Sequence, residues 1–99
     1  ELPKKLVAKM YDRILVEDGK EQVYGTQGRY VLIKNKKTGI DQLFKYIQPI
    51  ENPDTVNDRR KKMGFKTTVE ENALAMGITY REYTFKDLEK IFKENDIIN

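Results

Sequence analysis

Residues 28–47 read GRYVLIKNKKTGIDQLFKYI, and this stretch decides the fold. Tyr30, Val31, Leu32 and Ile33 are strand formers in a row. NKKTG follows as a hairpin loop, with Gly39 free to take a positive φ. The return run 40–50 places Leu43, Phe44, Tyr46, Ile47 and Ile50 without clean alternation, which predicts a bulge or an edge position. Pro49 ends any ladder pairing. A hairpin alone is marginal in water. Helices must therefore cover one face of this small sheet of two or three strands.

The segment just before, EQVYGTQGRY at 21–30, is unusually polar. Its first part is expected to run extended and to bend sharply between Gly25 and Gly28. It would supply any third strand, with Gln22, Tyr24 and Thr26 on one face and Val23 on the other. Upstream, Pro3 suits a first helical turn. Leu6, Val7, Met10, Tyr11, Ile14 and Leu15 then form one apolar stripe at helical spacing, opposite Lys5, Lys9, Asp12 and Arg13. This predicts a helix to about Val16, stopped at Asp18-Gly19, with the stripe as its packing face.

Downstream, three short helices are expected. Pro53 and Asp54 start one that ends at Gly64-Phe65. Thr67 or Thr68 caps the next, which stops at Gly77-Ile78. Thr84 caps the last, with Asp87 three residues on. The order is an N-terminal helix, a small antiparallel hairpin or three-stranded sheet, then three short C-terminal helices. That is an α+β fold over 1–99, read as a single small domain or as the C-terminal part of a longer protein.

Composition narrows the chemistry. The 99 residues contain no histidine and no cysteine. The usual general base near neutral pH, the commonest metal ligand, disulfides and thiolate sites are thereby excluded. No apolar run approaches a membrane span. No phosphate loop, nucleophile elbow, dinucleotide fingerprint or EF-hand spacing occurs, and no metal or cofactor is expected. The chain begins at Glu1, which reads as a trimmed form, a fragment or a mature chain freed of its leader. The compartment is the cytoplasm or, with a leader removed, the exterior.

Three features could carry function. Gln22, Tyr24, Thr26 and Gln27 offer amides and hydroxyls around a glycine bend, suited to a polar ligand or to satisfying buried backbone. Arg59 and Arg60 can grip a carboxylate or phosphate bidentately, or solvate a helix end. Residues 29–66 carry ten basic and four acidic side chains, with three lysines on the hairpin tip. That excess supports at most weak nucleic-acid binding, since no RNA-binding aromatic pattern accompanies it.

Residues YDRILVEDGKEQVYGTQ and PIENPDTVNDRRKKMGF carry a resemblance over about 5–65. They are similar to an uncharacterised bacterial domain-of-unknown-function family with the pattern K-x-Q-x-Y-G-T-Q followed by R-R-x-x-x-G. The matching positions are Asp12, Arg13, Gly19, Lys20, Gln22, Tyr24, Gly25, Thr26, Gln27, Pro49, Pro53, Val56, Arg59, Arg60 and Gly64. The resemblance implies that the polar stretch and the arginine pair form one constellation. Such families usually carry an upstream helical region with a histidine; this chain has neither, and after Gly64 its helices replace a shorter ending.

The reading that ranks first is a non-catalytic binding or interaction module with Gln22, Tyr24, Thr26, Gln27, Arg59 and Arg60 as its polar cluster. Its partner would be a small polar or anionic ligand or a protein. An enzyme domain with a histidine-free polar pocket ranks second, and weak nucleic-acid binding third. A glutamine of the polar stretch, Gln22 or Gln27, is expected to meet an arginine of the DRR helix.

Overall fold

The computed structural model describes residues 2–98. The elements are α1 (Lys4–Glu17), β1 (Gly28–Asn35), β2 (Asp41–Ile47), a 3₁₀ turn (Pro53–Thr55), α2 (Val56–Lys62), α3 (Val69–Ala75), α4 (Phe85–Glu94) and β3 (Asn95–Ile97). The strands form one antiparallel sheet in the order β2-β1-β3. The α+β class and the helix–sheet–helices order agree with the sequence. The third strand comes from an unexpected place, residues 95–97. The 21–27 segment contributes only an isolated bridge between Gln22 and Ile50. It cannot run straight, because Gly25 takes φ +66°.

In the hairpin, Val31 pairs with Phe44 and Leu32 with Leu43. The turn closes locally: Asn35 Oδ1 accepts from the N–H groups of Lys37 and Thr38 at 2.9 Å each, and Gly39 donates to the Asn35 carbonyl. Lys34 pairs with Asp41 at 2.8 Å across the same hairpin. Both residues are exposed, so the pair contributes little.

Helices bury two apolar clusters. Val31, Ile33, Phe44, Tyr46 and Leu88 form one, with Tyr83, Ile91 and Phe92 of the α4 side packed on it. Ile47, Ile50, Val56, Val69, Ala73 and Ile78 form the other, closed by α2 and α3. Successive strand residues point to opposite faces. Tyr46 and Ile47, neighbours in β2, therefore enter different clusters, each almost fully buried.

The helix stops follow the glycine rule. Gly64 (φ +84°) donates to the Lys61 carbonyl and Phe65 to that of Arg60; Gly77 (φ +75°) and Ile78 repeat the pattern on Leu74 and Ala73. These are Schellman closures, as is Gly19-Lys20 after α1. Thr68 with Glu71, and Thr84 with Asp87, make full capping boxes.

The packing face of α1 is opposite to expectation. Its buried residues are Ala8 and Asp12, the latter from the side expected to face solvent, and of the expected stripe only Leu15 is half-buried. Leu6, Val7, Met10, Tyr11 and Ile14 are 43, 42, 49, 48 and 56% exposed. Polar anchoring overrides the amphipathic pattern here. Ala8 lets the helix approach closely, and Asp12 is held by several hydrogen bonds that no apolar side chain could make.

Candidate functional site

The stretch 22–27 lies between α1, α2 and the end of β2, and its backbone is gripped from both sides. Its N–H groups face α1. Asp12 Oδ1 accepts from Val23 N at 2.8 Å and from Tyr24 N at 3.0 Å, while Oδ2 accepts from Thr26 N at 3.1 Å and from the Thr26 hydroxyl at 2.8 Å. Four donors on one carboxyl group satisfy most of its acceptor capacity. Its carbonyls face α2. Arg59 Nε donates to the Val23 carbonyl at 2.9 Å, and Arg60 NH1 donates to that of Tyr24 at 2.9 Å.

Helical geometry explains why both arginines serve. Adjacent residues on a helix point about 100° apart. Arg59 stays half-exposed, and also donates to the carbonyls of Asn52 and Glu51 and to the Thr55 hydroxyl. Asn52 takes φ +44° there, a region that asparagine tolerates better than most residues. Arg60 turns inward and is fully buried. Its other donors reach the Thr67 carbonyl at 2.9 Å and the Thr67 hydroxyl at 3.0 Å, and its guanidinium lies 4.3 Å from the Phe65 ring centroid. Burial draws the Arg60 pKa below its ordinary value, while Asp12, Glu70 and Glu71 pull it back. The group remains a cation, because the ordinary value lies so high.

Gln22 is fully buried and locks the loop shut. Its Nε2 donates to the carbonyls of Gln27 and Gln48 at 2.9 Å each, and its Oε1 accepts from Gln27 N at 2.9 Å. The amide thus mimics a strand pair across the neck of the loop. Its orientation is fixed, since a flipped amide would oppose donor to donor and acceptor to acceptor. Gln27 is more peripheral; its Nε2 donates to the Thr26 hydroxyl at 3.1 Å and to the Lys9 carbonyl at 3.4 Å. Gly25 completes the cradle. A Cβ there would lie 2.6 Å from Val69 Cγ2, so α3 packs directly on the glycine.

The structure therefore brings Gln22, Tyr24, Thr26, Gln27, Arg59 and Arg60 into one hydrogen-bonded unit. The contacts differ from those expected. The arginines reach main-chain carbonyls and threonine hydroxyls rather than the glutamine side chains. The reason is supply: the bent loop turns its carbonyls toward α2, and the glutamine amides are engaged within the loop, with Gln48 after β2 and with α1. Tyr24 enters through its peptide.

Asp12 is the member of the unit that residue type alone did not single out. Loop 23–26 presents several N–H groups in one direction, and such groups need acceptors when buried. Asp12 provides those acceptors from a helix next in sequence to the loop.

An open groove of about 610 Å³ runs beside the clamp, lined by Tyr11, Leu15, Lys20, Glu21, Val23, Glu51 and Phe85. It shares Tyr11 with the exposed stripe of α1. Among the described residues, no group of three or more Asp or Glu side chains is placed to hold a metal ion, and no helix is long and apolar enough to cross a membrane. The basic residues of 29–66 are spread over separate tasks. Arg59 and Arg60 grip the loop, Lys34 faces Asp41, and Arg29 donates to the Tyr46 hydroxyl. Comparison with protein-family models, curated proteins and solved structures finds no match for the chain.

Proposed function

We propose that the protein is a non-catalytic interaction module whose working surface is the outward apolar stripe of α1, extended by the adjoining groove. On this reading the cluster of Gln22, Tyr24, Thr26, Gln27, Arg59 and Arg60, together with Asp12, positions the helix instead of meeting a ligand. One observation carries the proposal: α1 docks by Ala8 and Asp12 and leaves Leu6, Val7, Met10, Tyr11 and Ile14 in solvent. A surface helix ordinarily turns such a stripe inward. An apolar patch left outside marks a contact surface.

The test is a pair of substitutions, Met10→Gln with Ile14→Gln. If the stripe is a contact surface, urea stability should stay within about 0.5 kcal/mol of the parent, as for ordinary surface changes. Fluorescence of an apolar dye such as bis-ANS should fall sharply. A stability loss above about 2 kcal/mol would place the stripe in the core and end the proposal.

A further inference from the structure

We infer that the occupant of the α1 stripe is the α1 stripe of a second copy, laid antiparallel about a two-fold axis. The inference rests on the interaction-module reading and adds the identity of the partner.

Charge is the first argument. Lys4 and Lys5 sit in the first turn of α1, Glu17 is its last residue and Asp18 its C-cap, with no acidic residue in the first turn and no basic residue in the last. This order opposes the helix's own macrodipole, which favours anions at the N-terminus and cations at the C-terminus. The other three α-helices all have acidic residues in the first turn. An antiparallel neighbour removes the conflict. It brings Asp18 and the negative helix end of one copy, with Glu17 already paired to Arg13 of its own helix at 3.1 Å, beside Lys4, Lys5 and the positive helix end of the other. A parallel neighbour would set like charges side by side.

Pattern and area are the second argument. Val7, Met10 and Ile14 are spaced by three and four residues, the seam of a helix pair, with Leu6 and Tyr11 flanking. A two-fold pair uses the same patch on both copies, so one stripe suffices. From their exposures, Leu6, Val7, Met10, Tyr11 and Ile14 offer roughly 500 Å² per copy, in the upper range of apolar patches on monomers. Two copies would bury at most about 1,000 Å², the small end of biological interfaces, which fits a weak, concentration-dependent dimer.

The experiment is sedimentation equilibrium on the whole chain from about 10 µM to 1 mM, a range that brackets weak association. The parent should move from monomer toward twice the monomer mass. Met10→Asp should raise the dissociation constant about 30-fold or more, as for a central contact residue, with circular dichroism unchanged. Orientation is tested by two double variants, K4E/K5E and E17K/D18K. Each improves the match to its own helix dipole, which in E17K offsets the loss of the exposed Arg13–Glu17 pair, so α1 stays formed. Each alone should be monomeric, because antiparallel pairing now opposes like charges. Mixed one to one, they should form a heterodimer. A parent that stays monomeric throughout overturns the inference; if it still binds bis-ANS and its stripe variants still fold, the module reading survives. Dimers of Met10→Asp as tight as the parent's would also overturn it, as would unaltered self-association of both charge variants.

Discussion

Asp12 and Arg60 hold opposite ends of one residue's backbone: the Tyr24 N–H donates to the Asp12 carboxylate, and the Tyr24 carbonyl accepts from the Arg60 guanidinium. Both side chains are fully buried, on two different helices. Removing one leaves the other's charge less compensated in a poorly solvating place. Asp12→Ala and Arg60→Ala should each cost about 3–5 kcal/mol. The double variant should cost less than their sum, with a coupling of about 1–3 kcal/mol. Urea unfolding of the four proteins measures it, and strict additivity would mean that the two groups act independently.

The two glutamines should separate clearly. Gln22→Ala strands Gln27 N and removes a donor from the Gln48 carbonyl, all part-buried. It should cost about 2–3 kcal/mol. Gln27→Ala loses contacts near the surface and should cost under about 1 kcal/mol. Equal losses in chemical denaturation would contradict the assignment of Gln22 as the lock.

Glycine substitutions should rank by space as well as by φ. At Gly64 and Gly77 a Cβ meets nothing within 4 Å, so only backbone strain remains. Alanine there should cost about 1 kcal/mol. At Gly25 the same strain is joined by the contact with Val69, and the loss should reach about 3 kcal/mol or more. A Gly25→Ala protein as stable as Gly64→Ala would show that α3 does not rest on the loop.

Acid should weaken the caps. The Thr84 backbone N–H, followed by its side chain, holds Asp87 below the usual carboxylate pKa. A hydrogen bond from the Asn57 side chain, with further smaller contributions, does the same for Glu70. A depressed carboxylate stabilises the fold above its unfolded pKa, and this is lost as pH falls through the lower folded value. Melting temperature should therefore drop below about pH 4. Asp87→Ala should melt below the parent at pH 6, and the gap should close toward pH 2. A gap that stays constant with pH would remove the capping carboxylate from the explanation.

Local signals carried most of the fold. The glycines after α2 and α3, the threonine caps and the β-rich run at 30–33 each act over a few residues, and each stands where the sequence puts it. Non-local features were harder to see. Residues 95–97 carry little strand propensity and pair with β1 only because α4 delivers them to its edge. The α1 stripe reads as a core face because helical periodicity cannot record a carboxylate with four donors waiting behind the helix. In the candidate site, the participants Gln22, Thr26, Arg59 and Arg60 were legible from residue type. Their contacts were not, because main-chain carbonyls are present everywhere in a sequence and distinguish no position.

The pairing of Asn35 with Asn95 sets a timetable for the chain during its own synthesis. A ribosome needs roughly 3–12 s to add the sixty residues between them, at about 5–20 residues per second. The hairpin of β1 and β2 closes within about 1–10 µs once it has emerged. For those seconds the half of β1 that β3 will cover is an open strand edge, free to recruit another nascent chain. Lys34, Lys36 and Lys37 lie at that end of the hairpin, where like charge discourages edge-to-edge pairing. In the completed fold Lys36 lies 3.8 Å from Asp96 of β3, so the charge that discourages a foreign strand is matched by the chain's own.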